Sequence, residues 1–497
     1  MFWLAFSISM FLMLGAAITK PLNNLIPQHM AVYTLVWICL YGGLWFLFCF
    51  LERKFPSLEK VIKCCLPIYF IIFGAALFVV SCLLRCEVFT DYGDVYNAAM
   101  NFALGQEVTN WEYFARWSNN IGTMLFLAFL FFLGRWLPAG IDLYYFVLLI
   151  NVIFVLLLVY CLYYLTTKIF QRHPIAVPLM TLAVCMGWIP FFANTSIFYS
   201  DQLSLAWGVI AITLLVKGYK KRSWVAYFLA AGLAFGIGGT LKVTATTIAI
   251  SLGIACFLFP AIWKEKVRLL VPLAGCLAFV LAFSCYTKTL PYQEHTERLK
   301  APVEYWFALG LVGSGTCADS WDFVEECLYA ENLEVRTKIA RQQIADEIEN
   351  MWDVGHIIAK ARQNFGCGDL GAAGYLLWPK SENFLWNWFS QDGIYFWKYA
   401  CITTAFFFSI LFYNGVGGLL QFLKKQKEEA LPEEMLFFVA ALAFWGLCMF
   451  MILWEAQDKF LYNHSGWMII GLISGLNLIG ERAEKIIGKK TNERTCD

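Results

Sequence analysis

The stretch VIKCCLPIYFIIFGAALFVVSCLL, residues 61–84, runs directly into RCEVFTDYGDVY, residues 85–96. The first part is an apolar run long enough for a bilayer, which takes about 20 residues of helix. The second part sets two carboxylates, Asp91 and Asp94, at the mouth of that helix. Acidic groups beside a bilayer are costly unless they have a partner or a task. The segment therefore reads as a membrane helix delivering a polar, aromatic loop to one face, with Asp91 turned towards a lipid-borne substrate.

The whole chain shares this character. Its 497 residues are 60% hydrophobic, 18% aromatic and 15% charged, with a mean hydropathy of +0.62. A soluble domain carries about 25% charged residues, so the chain is expected to be an integral membrane protein. A net charge of +1 excludes whole-chain attraction to nucleic acid. Packing accounts for most of the aromatic excess, with sugar stacking or lipid contact for the rest. The 17 cysteines lie mostly in apolar runs, as small hydrophobes. None has zinc-site spacing. Cys317 and Cys327 fall in a loop expected outside, which leaves a disulfide between them open. The segment Phe2–Ile18 lacks a basic start and a small-residue cleavage site, and reads as a retained helix.

About 12 spans are expected: Phe2–Ile18, Ala31–Leu51, Val61–Leu84, Leu143–Leu165, Ile175–Phe191, Leu203–Val216, Trp224–Gly239, Leu241–Leu258, Leu269–Tyr286, Tyr399–Leu419, Met435–Leu453 and Leu461–Ile479. Basic clusters at Arg53–Lys63, Lys168–Arg172, Lys217–Arg222, Lys264–Arg268, Lys424–Lys427 and Arg482–Arg494 mark the cytoplasmic face. All six share that face if Ile121–Gly134 is a re-entrant or interfacial helix. Both termini are then inside. The outer face collects residues 85–120, 194–202, a hairpin tip around 236–242, a long loop over 288–396, and 455–462. A loop that long is seldom idle. Within it, Val335, Ile339, Ile344, Ile348 and Trp352 are spaced along one helical face.

Nucleotide-binding and common hydrolase motifs are absent, so the chemistry is sought among polar residues of the outer face. Asp91 has the position of a general base towards a hydroxyl acceptor, or of a helix N-cap. Asp94, three residues on, would share its face. Asp201 is either another N-cap or an acidic partner of Asp91 that binds a cation or orients the acceptor. Lys242, in GIGGTLK at residues 236–242, is either a phosphate ligand at a glycine turn or a snorkelling lysine. Arg116 is either a phosphate clamp, which its planar fork suits, or an interfacial arginine among aromatic neighbours. Lys459 has the spacing to pair with Glu455 on a helix.

Taken in order, these segments resemble the polyprenyl-phosphate-sugar-dependent membrane glycosyltransferases of the GT-C superfamily. The likeness is to the bacterial branch related to protein O-mannosyltransferases and aminoarabinose transferases. Thr90-Asp91-Tyr92-Gly93-Asp94-Val95-Tyr96 is similar to that family's acidic first-loop motif, with Tyr92 at its second acidic position. Tyr113-Phe114-Ala115-Arg116 resembles the start of a basic motif whose prolines are missing here. Gly239-Thr240-Leu241-Lys242 and Glu455–Phe460 are similar to two later elements, with Lys459 in place of arginine. The resemblance spans residues 61–479. It divides the chain into two extra N-terminal helices (1–60), a transmembrane module (61–287) whose catalytic loop is 85–120, the extracytoplasmic loop (288–396), and C-terminal helices with a basic tail (397–497).

The resemblance implies an inverting glycosyltransferase at the plasma membrane, with its active site outside. Asp91 would be the catalytic base, and Arg116, Lys242 and Lys459 would hold the donor phosphate. The acceptor would be a glycan, lipid or protein. The family includes metal-dependent and metal-independent members, so a divalent cation at Asp91 and Asp201 stays open. Two other readings compete. A transporter or flippase would call for a second broken segment matching 236–242. An O-antigen polymerase or ligase would lack the acidic first loop.

Overall fold

The computed structural model describes residues 1–19, 25–138, 141–258, 266–424 and 432–494. Among them are only helices and one isolated bridge, Cys86 to Pro379. Hydrocarbon offers no hydrogen-bond partner, so a chain this apolar satisfies its backbone within helices. Nine helices among the described residues are long and apolar enough to cross a membrane: Phe2–Thr19, Gln28–Lys54, Leu58–Leu83, Leu143–Ile169, Ser200–Gly218, Trp224–Leu241, Arg268–Thr287, Phe396–Phe422 and Pro432–Leu453. The protein is an all-helical, multi-pass membrane architecture.

Three of the twelve expected spans take other forms. Residues 175–191 break at Trp188, giving Ala176–Gly187 and Ile189–Asn194, with Pro190 in the first turn of the second piece. Residues 241–258 start as a 3-10 turn, Val243–Ala245, before Thr246–Leu258. Residues 461–479 start as the 3-10 stretch Asp458–His464 and continue into a helix, Ser465–Arg494. That helix packs on Phe396–Phe422 and Pro432–Leu453 and is buried along Trp467–Leu478. A helix sealed by protein carries polar residues such as Ser474 and Asn477 without exposing them to lipid.

The hairpin tip also moves. Helix Trp224–Leu241 runs unbroken through Gly236, Gly238 and Gly239, and the chain turns at Lys242, whose backbone is extended (φ −151°, ψ 119°). Ile121–Gly134 is the short apolar helix expected, packed on Thr90–Leu104.

Residues 288–396 fold mostly into short helices. Four of them, Val303–Leu311, Trp321–Leu328, Leu333–Glu347 and Val354–Phe365, are the longest. The first three share a small core of Tyr305, Leu309, Phe323, Val324, Cys327 and Ala340. Ile339 and Ile344 pack on it, but the helix ends at Glu347 and leaves Trp352 80% exposed. Cys317 and Cys327 are both free. Cys317 Sγ bonds to Glu455 Oε1 at 3.4 Å, whereas Cys327 Sγ faces the Arg336 carbonyl, so the two thiols belong to different contacts.

One buried lysine fastens this segment to the bundle. Lys360 Nζ donates to the carbonyls of Gly310 (2.7 Å) and Trp454 (2.5 Å). Burial, against a smaller pull from Glu455, lowers its pKa to about 7. Above that value the folded chain holds a neutral amine, which still has two N–H donors for its two carbonyls. The unfolded chain stays protonated up to the ordinary value of 10.5. The folded state therefore binds fewer protons in this window, and stability is expected to rise with pH from about 7 towards 10.5. Thermal unfolding across that range should show the slope in the native chain and a weaker one in Lys360→Met. Equal slopes would remove Lys360 as its source.

Candidate functional site

Asp91, Arg116, Lys242 and Lys459 line one cavity of about 730 Å³. Helix ends and their turns form its walls. Tyr305, Trp306, Trp321 and Tyr329 of the 288–396 segment close over it. Side chains spread over 369 positions of sequence thus meet at one face of the bundle.

Asp91 stands in the first turn of Thr90–Leu104, whose N-cap is Phe89. It is not the N-cap itself. Thr90 before it has φ +48°, a conformation costing a non-glycine residue about 1–3 kcal/mol. This sharp entry leaves Asp91 exposed into the cavity. Tyr113 hydrogen-bonds to Asp91, and burial, then the Asp91 charge, push the Tyr113 hydroxyl pKa up, so it stays a donor. The Tyr113 oxygen accepts from Asn120 Nδ2 (2.6 Å), and Asn120 Oδ1 accepts from the Tyr199 hydroxyl (3.1 Å). The chain Asp91–Tyr113–Asn120–Tyr199 orients the carboxylate through neutral groups, leaving its charge uncancelled.

Asp94 does not share the site. It is half-buried and accepts from Asn110 Nδ2 at 3.0 Å, while the same amide bonds the Asp94 carbonyl at 3.2 Å. Burial raises its pKa, Asn110 opposes this, and Asp91 adds to it. Its contacts close residues 105–110 back onto the helix, which is a structural task. The expected acceptor-binding or metal-binding role finds no support there.

Asp201 is buried in the first turn of Ser200–Ser204 and is not part of the cavity lining. Lys242 Nζ sits 2.8 Å from its Oδ1 and 3.0 Å from its Oδ2. The same ammonium lies 4.6 Å from the centre of the Phe460 ring. Lys242 is therefore not a snorkelling lysine, and Asp201 is not free to hold a cation with Asp91. Gly122 makes the arrangement possible. A Cβ there would lie 1.9 Å from the Thr240 carbonyl oxygen, so only glycine lets this helix press on the turn at Lys242.

Arg116 ends Trp111–Arg116, with its guanidinium 5.5 Å from the Tyr329 ring centre. Lys459 lies 5.9 Å from the Tyr375 ring centre and bonds to the Tyr375 hydroxyl. Burial lowers the Lys459 pKa, but Tyr375, Tyr199, Glu455 and Asp201 outweigh it, so the ammonium stays charged. Neither cation forms an ion pair with a carboxylate among the described residues. The expected helical pairing of Lys459 with Glu455 fails because Asp458 starts a 3-10 stretch and Glu455 lies before it.

Glu455 is a site residue to which the sequence pointed only as that ion-pair partner. It lines the cavity, is buried, and accepts from Cys317 Sγ and Gln457 Nε2. Burial pushes its pKa up, against Lys459 and those two donors. Tyr375 carried no signal in sequence at all, since its segment GAAGYLL has no motif. Among the described residues, one group of three ligating side chains lies within reach of a metal ion: Cys367, Asp369 and Asp458, behind Lys459. No family model, curated protein or solved structure matches the chain significantly.

Proposed function

We propose that this chain is a membrane glycosyltransferase that moves a sugar from a polyprenyl-phosphate donor to a hydroxyl of a glycan, lipid or protein acceptor. One observation carries the reading. The exposed carboxylate of Asp91 and four cationic side chains, Arg116, Lys242, Lys300 and Lys459, converge on a cavity at helix ends, where a lipid phosphate can enter from the bilayer. Val243 and Phe450, at the same rim, offer apolar contact to a prenyl chain.

In this reading the acceptor O–H gives its proton to Asp91 as its oxygen attacks the anomeric carbon. The bond from that carbon to the phosphate oxygen breaks on the opposite side, which inverts the centre. Polyprenyl phosphate leaves with the electron pair. Arg116 and Lys459, which form no ion pair among the described residues, stabilise its charge most. Lys242, already neutralised by Asp201, mainly orients. The aromatic roof suits sugar rings.

The direct test is binding of a short-chain polyprenyl phosphate to the detergent-purified protein. A charge-assisted hydrogen bond contributes about 1.5–3 kcal/mol. Arg116→Met and Lys459→Met are each expected to weaken binding roughly ten- to a hundredfold, at about 1.4 kcal/mol per decade. Unchanged affinity in both variants would move the phosphate site elsewhere.

The sidedness belongs to the same proposal. The three helical segments that differ in form complete the nine spans to about 12, with the basic clusters in the cytoplasm and residues 288–396 outside. A cysteine placed at Arg341 should react with an impermeant maleimide on intact cells, and one at Lys220 should not. Labelling at 220 alone would invert the topology.

A further inference from the structure

Behind Lys459, and outside the cavity lining, residues 367–373 fold onto the turn at Asp458. Cys367 Sγ donates to Asp369 Oδ1 at 2.8 Å. Asp369 Oδ2 accepts from the Ala373 N–H at 2.9 Å, and Asp458 Oδ2 from the Gly371 N–H at 3.2 Å. Each carboxyl thus has one oxygen held by backbone, the kind of support that aims a metal ligand. Asp369 and Asp458 also hydrogen-bond to each other. One ligating atom from each of the three residues lies within 4.8 Å of the other two.

Two touching carboxyls beside a thiol are costly to bury without a compensating cation or proton. Neither Asp369 nor Asp458 has an ion-pair partner among the described residues. A second, independent observation points into the group. Tyr399 is 3% exposed, and its hydroxyl has no hydrogen-bond partner among the described residues. That hydroxyl lies within electrostatic reach of Asp369, Cys367 and Asp458. The turn is strained at Leu370, with φ +53°, and Gly371 at φ +80° takes the left-handed conformation glycine allows. A Cβ on Gly371 would lie 2.6 Å from Lys459 Cβ, so the turn abuts the residue that reaches the cavity.

We propose that Cys367, Asp369, Asp458 and Tyr399 form a binding site for a divalent zinc-type ion, which clamps residues 367–373 to the turn carrying Lys459. A tetrahedral zinc ion, at about 2.3 Å from sulfur and about 2.0–2.2 Å from oxygen, holds its ligand atoms roughly 3.3–3.7 Å apart. The observed spread needs only small side-chain shifts to reach that. The thiol favours zinc over magnesium or calcium, which take oxygen ligands. Binding releases the thiol proton and the proton between the two carboxyls, and the ion takes up the electron pairs so freed.

The test uses the full chain in detergent, purified without a metal-affinity tag, stripped with a chelator and given Zn²⁺ alone. One Zn²⁺ per chain after desalting and a raised unfolding temperature are expected. Co²⁺ in its place should give a thiolate-to-metal charge-transfer band, which reports sulfur ligation directly. Cys367→Ser should lose the band and weaken Zn²⁺ at least about 100-fold, since even supporting-shell changes cost 10–100-fold. Tyr399→Phe should keep the band and bind less tightly. A folded native chain that holds no stoichiometric zinc and shows no cobalt band overturns the site, and the carboxyls then share a proton instead. Zinc held as tightly by Cys367→Ser overturns it too. If Cys367→Ser does not fold, the cobalt band of the native chain decides alone.

Discussion

Asp91→Asn is expected to slow sugar transfer by about 10²- to 10⁴-fold, the range for losing a positioned general base. The amide oxygen of Asn still accepts from Tyr113, so the Asp91–Tyr113–Asn120–Tyr199 chain should persist and the fold with it. Binding of a polyprenyl phosphate should change little, because Asp91 faces the acceptor side of the reaction in the proposed geometry. The comparison is therefore turnover against donor affinity in one preparation. Native turnover in Asp91→Asn would take Asp91 out of the mechanism. A collapse of donor binding with unfolding would make it a structural residue.

Lys242→Met is expected to be the most destabilising single change in the site. It leaves Asp201 buried without its counter-ion, and breaking a buried pair from one side costs about 3–5 kcal/mol. Lys242→Met combined with Asp201→Asn should recover much of that loss, since no lone charge remains. Unfolding temperatures of the two singles and the double give the coupling directly. A Lys242→Met variant as stable as the native chain would mean the pair is not held in the folded protein. Donor affinity in the stable double variant then isolates what Lys242 contributes to the phosphate.

Much of the fold was legible because bilayer physics is written locally. A run such as Leu143–Ile169 has the length and apolarity of a span whatever its neighbours do. The segments that departed from expectation carry breaks or 3-10 turns that local apolarity does not encode. Ser465–Arg494 tolerates Ser474 and Asn477 because it lies inside the bundle. The glycines at 236–239 suggested a turn by composition, yet in the fold they lie within Trp224–Leu241. The candidate site was legible in part. Asp91, Arg116, Lys242 and Lys459 stood out as charges at the ends of apolar runs, and all four line the cavity.

The partners of these charges were not legible. Asp94 and Asp201 carry the same type of signal as Asp91, and their separation from the cavity depends on Asn110 and Lys242. The second of these contacts spans 41 positions. Glu455 looked like an ion-pair partner by spacing, and burial against Cys317 made it a cavity carboxyl instead. A multi-pass helical membrane protein with charges gathered at helix ends is readable from the residues alone, because hydrophobic length and local charge are properties of contiguous segments. The fold settles which carboxylate stays uncancelled, which lysine is neutralised, and that Cys367, Asp369 and Asp458 meet. Those outcomes follow from distances of a few ångströms between segments up to 91 positions apart, which no local pattern encodes.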